Sequence, residues 1–407
     1  MILNRLEHRI KNIEHRIMKL NSNRQFLEGS HAVAEIIKLI KPAVVAAYPI
    51  TPQTHIVEDL AKIKASGAGD FEYINTESEF AAASVLLGAS ATGVRTYTAT
   101  CSQGLLLMTE VLFCIAGLRL PVVITCANRS VSAPINIWND QQDAVTIRDA
   151  GWLMLYAETN QEAVDLHLLA YRLAETLRLP VMVNMDGFVL THTYEPLIMP
   201  TQEHVNKFLP AYKAEVGTFL DVKNPVTIGA LAYPDSYMEI RKQLADDIYS
   251  SSDLIKKYNT EFKKVFGRSI GDNGIVEEYK TKDAEVVLVA MGSVCGTIKE
   301  VVDELRERKQ KVGLLKIISF RPFVDDEIVK SLGKAKYIAV VDKSISLGSE
   351  GILATEIKRA AYNRLKVKIQ SFVVGLGGHD VTKEMIEQIV FDIKKDKTSG
   401  IHFVGCS

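Results

Sequence analysis

The chain has 407 residues, in which 48 lysines and arginines nearly balance 49 aspartates and glutamates, giving a formal net charge of -1. This balance excludes a protein that binds nucleic acid through a global basic field. The apolar 47% of the sequence occurs in runs shorter than the roughly 18 residues of a membrane span. We therefore predict a cytoplasmic protein of two or three domains that binds a small molecule or another protein.

A heptad pattern opens the chain. LEHRI at 6–10 recurs as IEHRI at 13–17, with apolar residues alternately three and four apart. This spacing predicts an amphipathic helix, to which we assign residues 1–28. The repeat is too short for a stable coiled coil, and its acidic residues argue against a transit peptide. We expect the helix to pack against its own protein or a partner subunit.

Short apolar runs and helical patterns alternate between residues 29 and 200, which we take as the first domain. We expect buried strands at 43–48, 72–74, 95–100, 121–125 and 180–184. Helical patterns lie between them, for example over 103–118 and 161–177. This βαβα order predicts an α/β fold with a parallel sheet covered by helices on both faces.

A second alternating series follows a polar, mixed segment at 201–282, which predicts an irregular connecting region. Strands are expected at 285–290, 312–318, 337–341 and 369–374, so residues 283–407 form a second α/β domain. The string GDNG at 271–274 reads as a turn within the connection.

The first strand of the series runs into Tyr-Pro-Ile-Thr-Pro, a turn made stiff by Pro49 and Pro52. Local evidence favours a capping role for Thr51, with a helix starting near Pro52. The alternative is that the turn presents the Thr51 hydroxyl to a ligand at the carboxyl end of the strand, where open α/β sheets bind their ligands.

Other signals at the same edge are individually weak. Glu77 and Glu79 precede an alanine-rich helix, where carboxylates suit the helix dipole. Ser102 is placed to cap the next helix, and Gln103 offers an amide. Arg129 follows the fourth strand, where a guanidinium can bind a carboxylate with two hydrogen bonds, although a surface arginine is commoner.

Together these motifs occur in the order and spacing of one family. YPITP, Glu-x-Glu before a small-residue helix, SQGL, and ANR followed by NIWND and RD-x-GW resemble the α chain of 2-oxoacid:ferredoxin oxidoreductases, most closely the pyruvate enzyme. The resemblance continues through DGF, MGS, FRPF and GLGGHDVT, so it covers the chain from residue 29 onward. It implies a pyrimidine-binding domain of the thiamin diphosphate type, followed by a transketolase C-terminal-like domain.

The resemblance also implies roles for individual residues. Glu79, rather than Glu77, would hydrogen-bond N1′ of the thiamin aminopyrimidine and relay a proton. Thr51 and Arg129 would bind the 2-oxoacid. The cofactor would also contact three further residues, namely Pro49, Ser102 and Gln103.

Absences in the sequence suggest a division of labour between chains. The five cysteines are widely spaced, with no CxxC pair, so neither a zinc site nor an iron–sulfur cluster is predicted, and free thiols fit a reducing compartment. No GDG motif with a downstream Asn is present to hold the diphosphate through Mg²⁺. The resemblance places Mg²⁺ and [4Fe-4S] clusters on a β subunit and a ferredoxin-like δ subunit, beside a γ subunit, with coenzyme A as co-substrate and ferredoxin as acceptor. A dimer of this heteromeric unit is expected.

Some residues receive no role at this stage. Gln141 stands where other members of the family often carry His, so Asp140 and Asp143 of the same loop are not assigned as acid or base. No metal ligand is predicted on this chain. The GLGG and FRPF turns of the second domain could contact coenzyme A or a neighbouring chain, but glycine turns between strands and helices are the default interpretation.

Three functions remain open from the sequence. The first is oxidative decarboxylation of pyruvate to acetyl-CoA, and the second is the same chemistry on 2-oxoglutarate or a branched 2-oxoacid. The third is a non-catalytic scaffold or nucleotide-binding subunit. The absence of a glycine-rich phosphate loop after the first strand argues against nucleotide binding.

Overall fold

The structure, a computed structural model, describes residues 24–395 and 400–406. The heptad pattern, with its repeat at 6–17, therefore lies entirely outside the described residues. Within the segment assigned to that helix, residues 24–28 form a strand instead, so the helix prediction is wrong there. The reason is tertiary, because β1 (Arg24–Glu28) pairs antiparallel with β8 (Tyr194–Ile198) from the end of the first domain.

The first domain contains a seven-stranded sheet with the order β12-β6-β7-β5-β4-β2-β3. Its strands are β2 (Val44–Ala47), β3 (Glu72–Asn75), β4 (Thr96–Thr100), β5 (Val123–Asn128), β6 (Leu153–Tyr156), β7 (Val181–Asp186) and β12 (Ser319–Arg321). All pair in parallel except β12, which runs antiparallel to β6. The parallel sheet and its five predicted strands are confirmed, whereas β6 was not predicted.

Helices connect these strands and pack against the sheet in two groups, one of α1, α2 and α7 and the other of α3, α4 and α5. Their bounds are α1 (Gly29–Ile40), α2 (Thr54–Ala65), α3 (Glu79–Ala91), α4 (Ser102–Leu107), α5 (Thr109–Gly117), α6 (Gln142–Thr146), α7 (Asn160–Leu177) and α8 (Gln202–Phe208). The helix predicted over 161–177 is confirmed. The one predicted over 103–118 is divided at Met108 into α4 and α5.

The connecting region is not irregular throughout, because α9 (Pro234–Phe266) is a helix of 33 residues. Its second half buries Ile255, Tyr258 and Phe262 at helical spacing against α7 and α8, whereas most of its first half is exposed. The string GDNG forms the predicted turn at 271–274.

The second domain contains a six-stranded sheet with the order β15-β14-β13-β10-β11-β9, in which only β9 is antiparallel to its neighbour. Its strands are β9 (Val276–Tyr279), β10 (Val286–Ala290), β11 (Val312–Ile317), β13 (Tyr337–Asp342), β14 (Lys368–Val373) and β15 (His402–Phe403). Its helices are α10 (Val294–Glu307), α11 (Asp325–Leu332), α12 (Ile352–Ala361) and α13 (Lys383–Asp392). The predicted second α/β domain is confirmed.

A buried ionic cluster joins the two domains. Lys316 of β11 is 1% exposed, and its Nζ lies 2.6 Å from Glu158, 2.5 Å from Glu162 and 2.7 Å from Glu277. Glu158 and Glu162 belong to the first domain, so the lysine cross-links the domains through charge-assisted hydrogen bonds.

The sheet order places a ligand crevice between β2 and β4. The chain leaves β2 for β3 on one side and leaves β4 for β5 on the other, so the connections diverge between these adjacent strands. Such a switch point is where open α/β sheets bind ligands. Thr51 follows β2 and Cys101 follows β4 at this point.

Candidate active site

The turn after β2 is fixed by Gln53. Its side-chain Nε2 donates to the main-chain oxygen of Ala99 at 2.5 Å, and its Oε1 accepts from the Ile50 N–H at 3.3 Å. Helix α2 begins at Thr54, after Gln53 as N-cap and without a side-chain capping bond. The capping role that local sequence favoured for Thr51 is therefore wrong, because the turn delays the helix by two residues and leaves the Thr51 side chain exposed.

Arg129 reaches across the crevice to this turn. Its Nη1 donates to the main-chain oxygen of Thr51 at 2.8 Å, and its Nε donates to that of Asn136 at 3.0 Å. The residue is only 8% exposed, and no carboxylate among the described residues pairs with its guanidinium. A desolvated cation without a counter-ion favours an anionic ligand.

Glu79 is the first residue of α3, after Ser78, whose hydroxyl accepts from the Ala81 N–H at 3.2 Å. Its side chain is buried, whereas Glu77 is exposed, so the two carboxylates of the Glu-x-Glu motif have different environments. Burial raises the pKa of Glu79. The carboxyl group therefore binds a proton more readily than an ordinary glutamate does.

Gly104 of α4 allows Glu79 to reach this position. A Cβ at residue 104 would lie 2.5 Å from Glu79 Oε1 and 2.7 Å from the Thr100 hydroxyl oxygen, both too close for contact. The glycine thus brings the carboxyl group against the start of α4, at the end of β4. Glu79 is thus followed by a helix of small residues and lies against a further small residue, Gly104.

Ser102 and Gln103 lie at the same end of α4. Ser102 is the first helical residue, and its hydroxyl donates to the main-chain oxygen of Ser130. Its predicted capping role is wrong, because Cys101 occupies the N-cap position. The Gln103 Nε2 is buried with no hydrogen-bond partner among the described residues, as is the Thr100 hydroxyl.

These orphaned polar atoms mark a place for a polar ligand. A buried amide N–H without an acceptor costs about 1–3 kcal/mol, which a bound ligand would recover. Pro49 lies exposed in the turn after β2, without a polar contact of its own. The structure thus gathers Thr51, Arg129, Ser102 and Gln103 around the crevice.

Cys101 connects the two sides of the site. Its thiol donates to the main-chain oxygen of Thr51 at 3.2 Å. Burial is the main cause that raises the pKa of Cys101, and the Arg129 guanidinium and the Glu79 carboxyl both lie close enough to influence it. The thiol is therefore neutral. Because Glu79 and Arg129 both influence Cys101, the two charged groups lie within electrostatic range of the same side chain. No sequence pattern indicated this role.

Asp143 is a positioning residue that the sequence did not single out. Its Oδ2 accepts from the N–H groups of Ser102 and Arg129, each at 2.9 Å, and its Oδ1 accepts from the Asn128 amide at 3.0 Å. The side chain is completely buried, and burial raises its pKa. One carboxylate thus aligns the ends of β4 and β5, a long-range contact without a local sequence signal.

The second domain closes one side of this region. The Asn136 amide donates to the Gly377 oxygen at 3.0 Å, and the Asp140 carboxylate accepts from the Gly377 N–H at 3.0 Å. Burial raises the pKa of Asp140 to about 6. Besides forming a turn, GLGG therefore holds the NIWND loop in place through these two hydrogen bonds.

Gln141 makes a further contact between the domains. Its amide donates to the Asp186 carboxylate at 3.3 Å and to the Met291 oxygen at 3.1 Å. Burial alone would raise the pKa of Asp186, but the charge of Lys343 and the hydroxyl of Ser293 lower it. The DGF and MGS motifs thus meet at this carboxylate.

Comparison with protein families matches both domains. A family model described as pyruvate flavodoxin/ferredoxin oxidoreductase, thiamine diphosphate-binding, covers residues 35–260. A second, described as pyruvate:ferredoxin oxidoreductase core domain II, covers residues 284–386.

Curated relatives match nearly the whole chain. The chain is 48% identical to the pyruvate synthase subunit PorA of Methanosarcina barkeri, over 92% of this chain and 94% of that one. It is 48% identical to PorA of Methanocaldococcus jannaschii, over 93% and 97%. The ketoisovalerate oxidoreductase subunit VorA of Pyrococcus horikoshii is 43% identical, over 94% and 97%.

Among solved structures, the 2-oxoglutarate:ferredoxin oxidoreductase from Magnetococcus marinus, with 2-oxoglutarate, coenzyme A and succinyl-CoA bound, superposes with a TM-score of 0.71. The identity is 19%, and the match covers 91% of this chain and 66% of that chain, so it supports the fold alone. With two family models and nearly full-length relatives, the chain belongs to the 2-oxoacid:ferredoxin oxidoreductase family, as a subunit of the PorA type.

Proposed function

We propose that this chain is the α subunit of a pyruvate:ferredoxin oxidoreductase, which converts pyruvate and coenzyme A to acetyl-CoA and CO2 and passes electrons to ferredoxin, reversibly. The observation that carries the proposal is Arg129, a buried guanidinium beside Thr51 that pairs with no carboxylate in the described part of the chain. We place the pyrimidine-binding domain at 29–200, the connection at 201–282 and the transketolase C-terminal-like domain at 283–407.

Arg129 and Thr51 bind the carboxylate of the 2-oxoacid in this proposal. The guanidinium is already held by the Thr51 and Asn136 carbonyl groups, so little freedom is lost when the substrate binds. The exposed Thr51 side chain supplies a hydroxyl donor at the same point. Both residues position the substrate and neither takes part in bond breaking.

Thiamin diphosphate fits the crevice because unpaired polar atoms and a desolvated carboxyl group meet there. When bound, this cofactor supplies the nucleophilic carbon and the electron sink for decarboxylation. Glu79 would hold the aminopyrimidine at N1′ and carry the proton on its carboxyl oxygen, for which its raised pKa suits it. Three residues would line the cofactor, namely Ser102, Pro49 and Gln103, whose Nε2 has no hydrogen-bond partner among the residues that the structure describes.

The site also needs other chains. Among the described residues no cysteine belongs to a group of three or more side chains that could hold a metal, and Cys101, Cys126 and Cys295 are buried free thiols. We infer that a β subunit supplies Mg²⁺ and the diphosphate site, and that [4Fe-4S] clusters on partner subunits, including a ferredoxin-like δ subunit, receive the electrons. A γ subunit and a dimer of the heteromeric unit complete the proposed assembly.

We infer a cytoplasmic location from the free thiols, which suit a reducing compartment. No described helix is long and apolar enough to cross a membrane.

The VorA relatives favour a second candidate, the same reaction on a branched 2-oxoacid. The test is anaerobic purification of the complex through this chain, with viologen reduction measured on pyruvate, 2-oxoglutarate and 2-oxoisovalerate, with and without coenzyme A. Pyruvate should give the highest kcat/KM, dependent on coenzyme A. A preference for 2-oxoisovalerate would assign a branched 2-oxoacid as the substrate in place of pyruvate. No reduction with any oxoacid in the complete complex would favour a non-catalytic scaffold subunit.

A further inference from the structure

A cluster of three metal-binding side chains lies behind the Thr51 turn. Glu28 ends β1, His55 is the second residue of α2, and His192 follows the DGF turn after β7. One donor atom from each lies within 4.8 Å of the other two. The three positions are far apart in sequence, so no spacing motif announces them. We call these residues the Glu28–His55–His192 cluster.

We propose that the Glu28–His55–His192 cluster binds a divalent first-row transition-metal ion, with Zn²⁺ as the reference ion. Two imidazoles and one carboxylate form a donor set that suits Zn²⁺, whereas Mg²⁺ and Ca²⁺ prefer oxygen ligands. This site differs from the sequence expectation that the chain carries no metal ligand. Metal binding there does not depend on the proposed oxidoreductase activity.

The geometry needs only small adjustments to hold the ion. The Glu28 carboxylate and His55 Nδ1 are 2.7 Å apart, and the rings of His55 and His192 are 4.5 Å apart between centroids. With bond lengths of about 2.1 Å, tetrahedral Zn²⁺ places its ligand atoms ~3.4 Å from one another. From 2.7 Å, the Glu28 carboxylate and His55 Nδ1 would have to separate by about 0.7 Å to reach this spacing. A fourth position would remain for water.

Supporting groups around His192 fit a metal ligand. Its Nδ1 lies 2.7 Å from the hydroxyl of the buried Thr191, which leaves Nε2 to bind the metal. The same hydroxyl oxygen accepts from the Phe188 N–H at 2.8 Å, so Thr191 is itself fixed. Metal-bound histidines characteristically use their second nitrogen in this way.

Access and charge also fit. The His55 side chain is 45% exposed and that of Glu28 is 16% exposed, so an ion can enter from solvent. The cluster has one carboxylate and no lysine or arginine paired with it among the described residues.

Among the described residues, a second trio of potential metal ligands shows the contrast. Glu158, Glu162 and Glu277 also lie close enough to hold a cation, but Lys316 already occupies the space between them. Lys299 binds two of these glutamates as well, at 2.8 Å and 2.7 Å. A metal ion there would have to displace two ammonium groups, so that cluster carries no such proposal.

The position gives the bound ion a structural role near the crevice. The segment that contains the cis Thr51–Pro52 peptide lies against the DGF turn. A Cβ added at Gly187 of this turn would lie only 2.6 Å from Pro52 Cγ. His55 and His192 extend from these same two segments. A shared metal ion would tie the start of α2 to the DGF turn and so brace the Thr51 turn.

The test uses the full-length chain, freed of metal with a chelator and titrated with Zn²⁺ against a competing chelator dye. We expect one tight equivalent in the wild type, and an affinity lowered at least 10-fold in His55→Ala, His192→Ala and Glu28→Gln. His204→Ala, an exposed histidine of α8, and the double variant His8→Ala/His15→Ala should bind as the wild type does.

Two further readouts guard against misfolding of the variants. Co²⁺ should give the visible absorption bands of a tetrahedral nitrogen and oxygen site in the wild type, and these bands should be absent in His192→Ala. Excess Zn²⁺ should raise the Tm of the wild type but not that of His55→Gln. The proposal is overturned if wild type and the cluster variants bind Zn²⁺ equally, or if the wild type binds none.

Discussion

Arg129 and Thr51 are joined by a hydrogen bond from the Arg129 Nη1 to the Thr51 main-chain oxygen at 2.8 Å, which ties the ends of β5 and β2 across the crevice. The guanidinium is thereby fixed by main-chain atoms, while no carboxylate within residues 24–395 and 400–406 pairs with its charge. A fixed, uncompensated cation is suited to bind an anionic substrate before any chemistry occurs.

For this reason Arg129→Ala should mainly raise the KM for the oxoacid. A hydrogen bond to a charged group contributes about 1.5–3 kcal/mol, which corresponds to a rise of roughly 10- to 150-fold. Arg129→Lys keeps the charge but loses the planar fork, and we expect an intermediate KM. Steady-state viologen reduction measures both. A large fall in kcat at constant KM would instead assign Arg129 a role in the chemical step.

Glu79→Gln should lower turnover by about 10²–10⁴-fold, the range for a lost general acid–base group, while the complex still assembles. The matched control is Glu77→Gln, two residues earlier and exposed, which should retain wild-type turnover. Subunit composition by mass and single-turnover kinetics provide the readout. If Glu79→Gln is nearly as active as wild type, Glu79 has no part in proton transfer.

Gly104→Ala should weaken thiamin diphosphate binding and lower activity, because the new methyl group would lie 2.5 Å from Glu79 Oε1. The carboxyl group must move by several tenths of an ångström or more. Gly88→Ala in α3 is the control, since nothing lies within 4 Å of its added Cβ. That change should stabilise the helix by up to about 1 kcal/mol and leave activity intact. Equal activity of the two variants would show that the Glu79 position is not critical.

Lys316→Met should destabilise the chain by about 3–5 kcal/mol, because it leaves three carboxylates without their buried partner. Lys336→Met provides the comparison. Lys336 pairs with Glu285 at 3.0 Å on the surface, where solvent screens the pair, so its loss should change the free energy of unfolding little. Denaturant unfolding of both variants measures the difference. Similar losses of stability would mean that the buried cluster does not hold the domains together.

His167 predicts a pH dependence of stability. The ring is buried between the Thr125 hydroxyl and the Ala163 oxygen, and burial lowers its pKa to about 4. The folded state therefore favours the neutral imidazole. The contribution of His167 to the free energy of unfolding is fully present above the unfolded pKa of about 6.5.

That stability should be lost as the pH falls from about 6.5 towards 4, by up to ~3 kcal/mol. His167→Gln, which cannot take up a proton, should show a shallower fall in unfolding free energy over this interval than the wild type. The exposed His204→Gln should follow the wild type. Parallel curves for His167→Gln and the wild type would exclude His167 as the cause.

Periodicity in the sequence was sufficient for elements whose burial pattern is local. The strands β2, β5 and β7 contain short apolar runs, and α7 carries a clear helical pattern. The pattern failed for α9, whose first half is exposed and carries little apolar spacing. It also failed for β12, a strand of three residues that exists because β6 offers it an edge.

The site divides in the same way. Thr51, Glu79 and Arg129 follow strands or start helices in recognisable motifs, so their place at one sheet edge could be predicted. The contact of Gly104 with Glu79 and the bonds of Asp143 to two strand ends depend on residues distant in sequence. The predicted capping roles of Thr51 and Ser102 were wrong because other residues occupy the N-cap positions, Gln53 for α2 and Cys101 for α4.

The antiparallel strand β12 has a consequence for any attempt to separate the domains. It lies after the boundary at residue 283 yet completes the sheet of the first domain, with the Tyr156 N–H donating to the Ile318 oxygen at 2.8 Å. A fragment ending at the boundary would expose the backbone donors and acceptors of β6, a free edge that promotes self-association. The sheet of the first domain therefore depends on a strand that follows residue 283. We expect the two domains to remain together when the subunit is exchanged between assemblies.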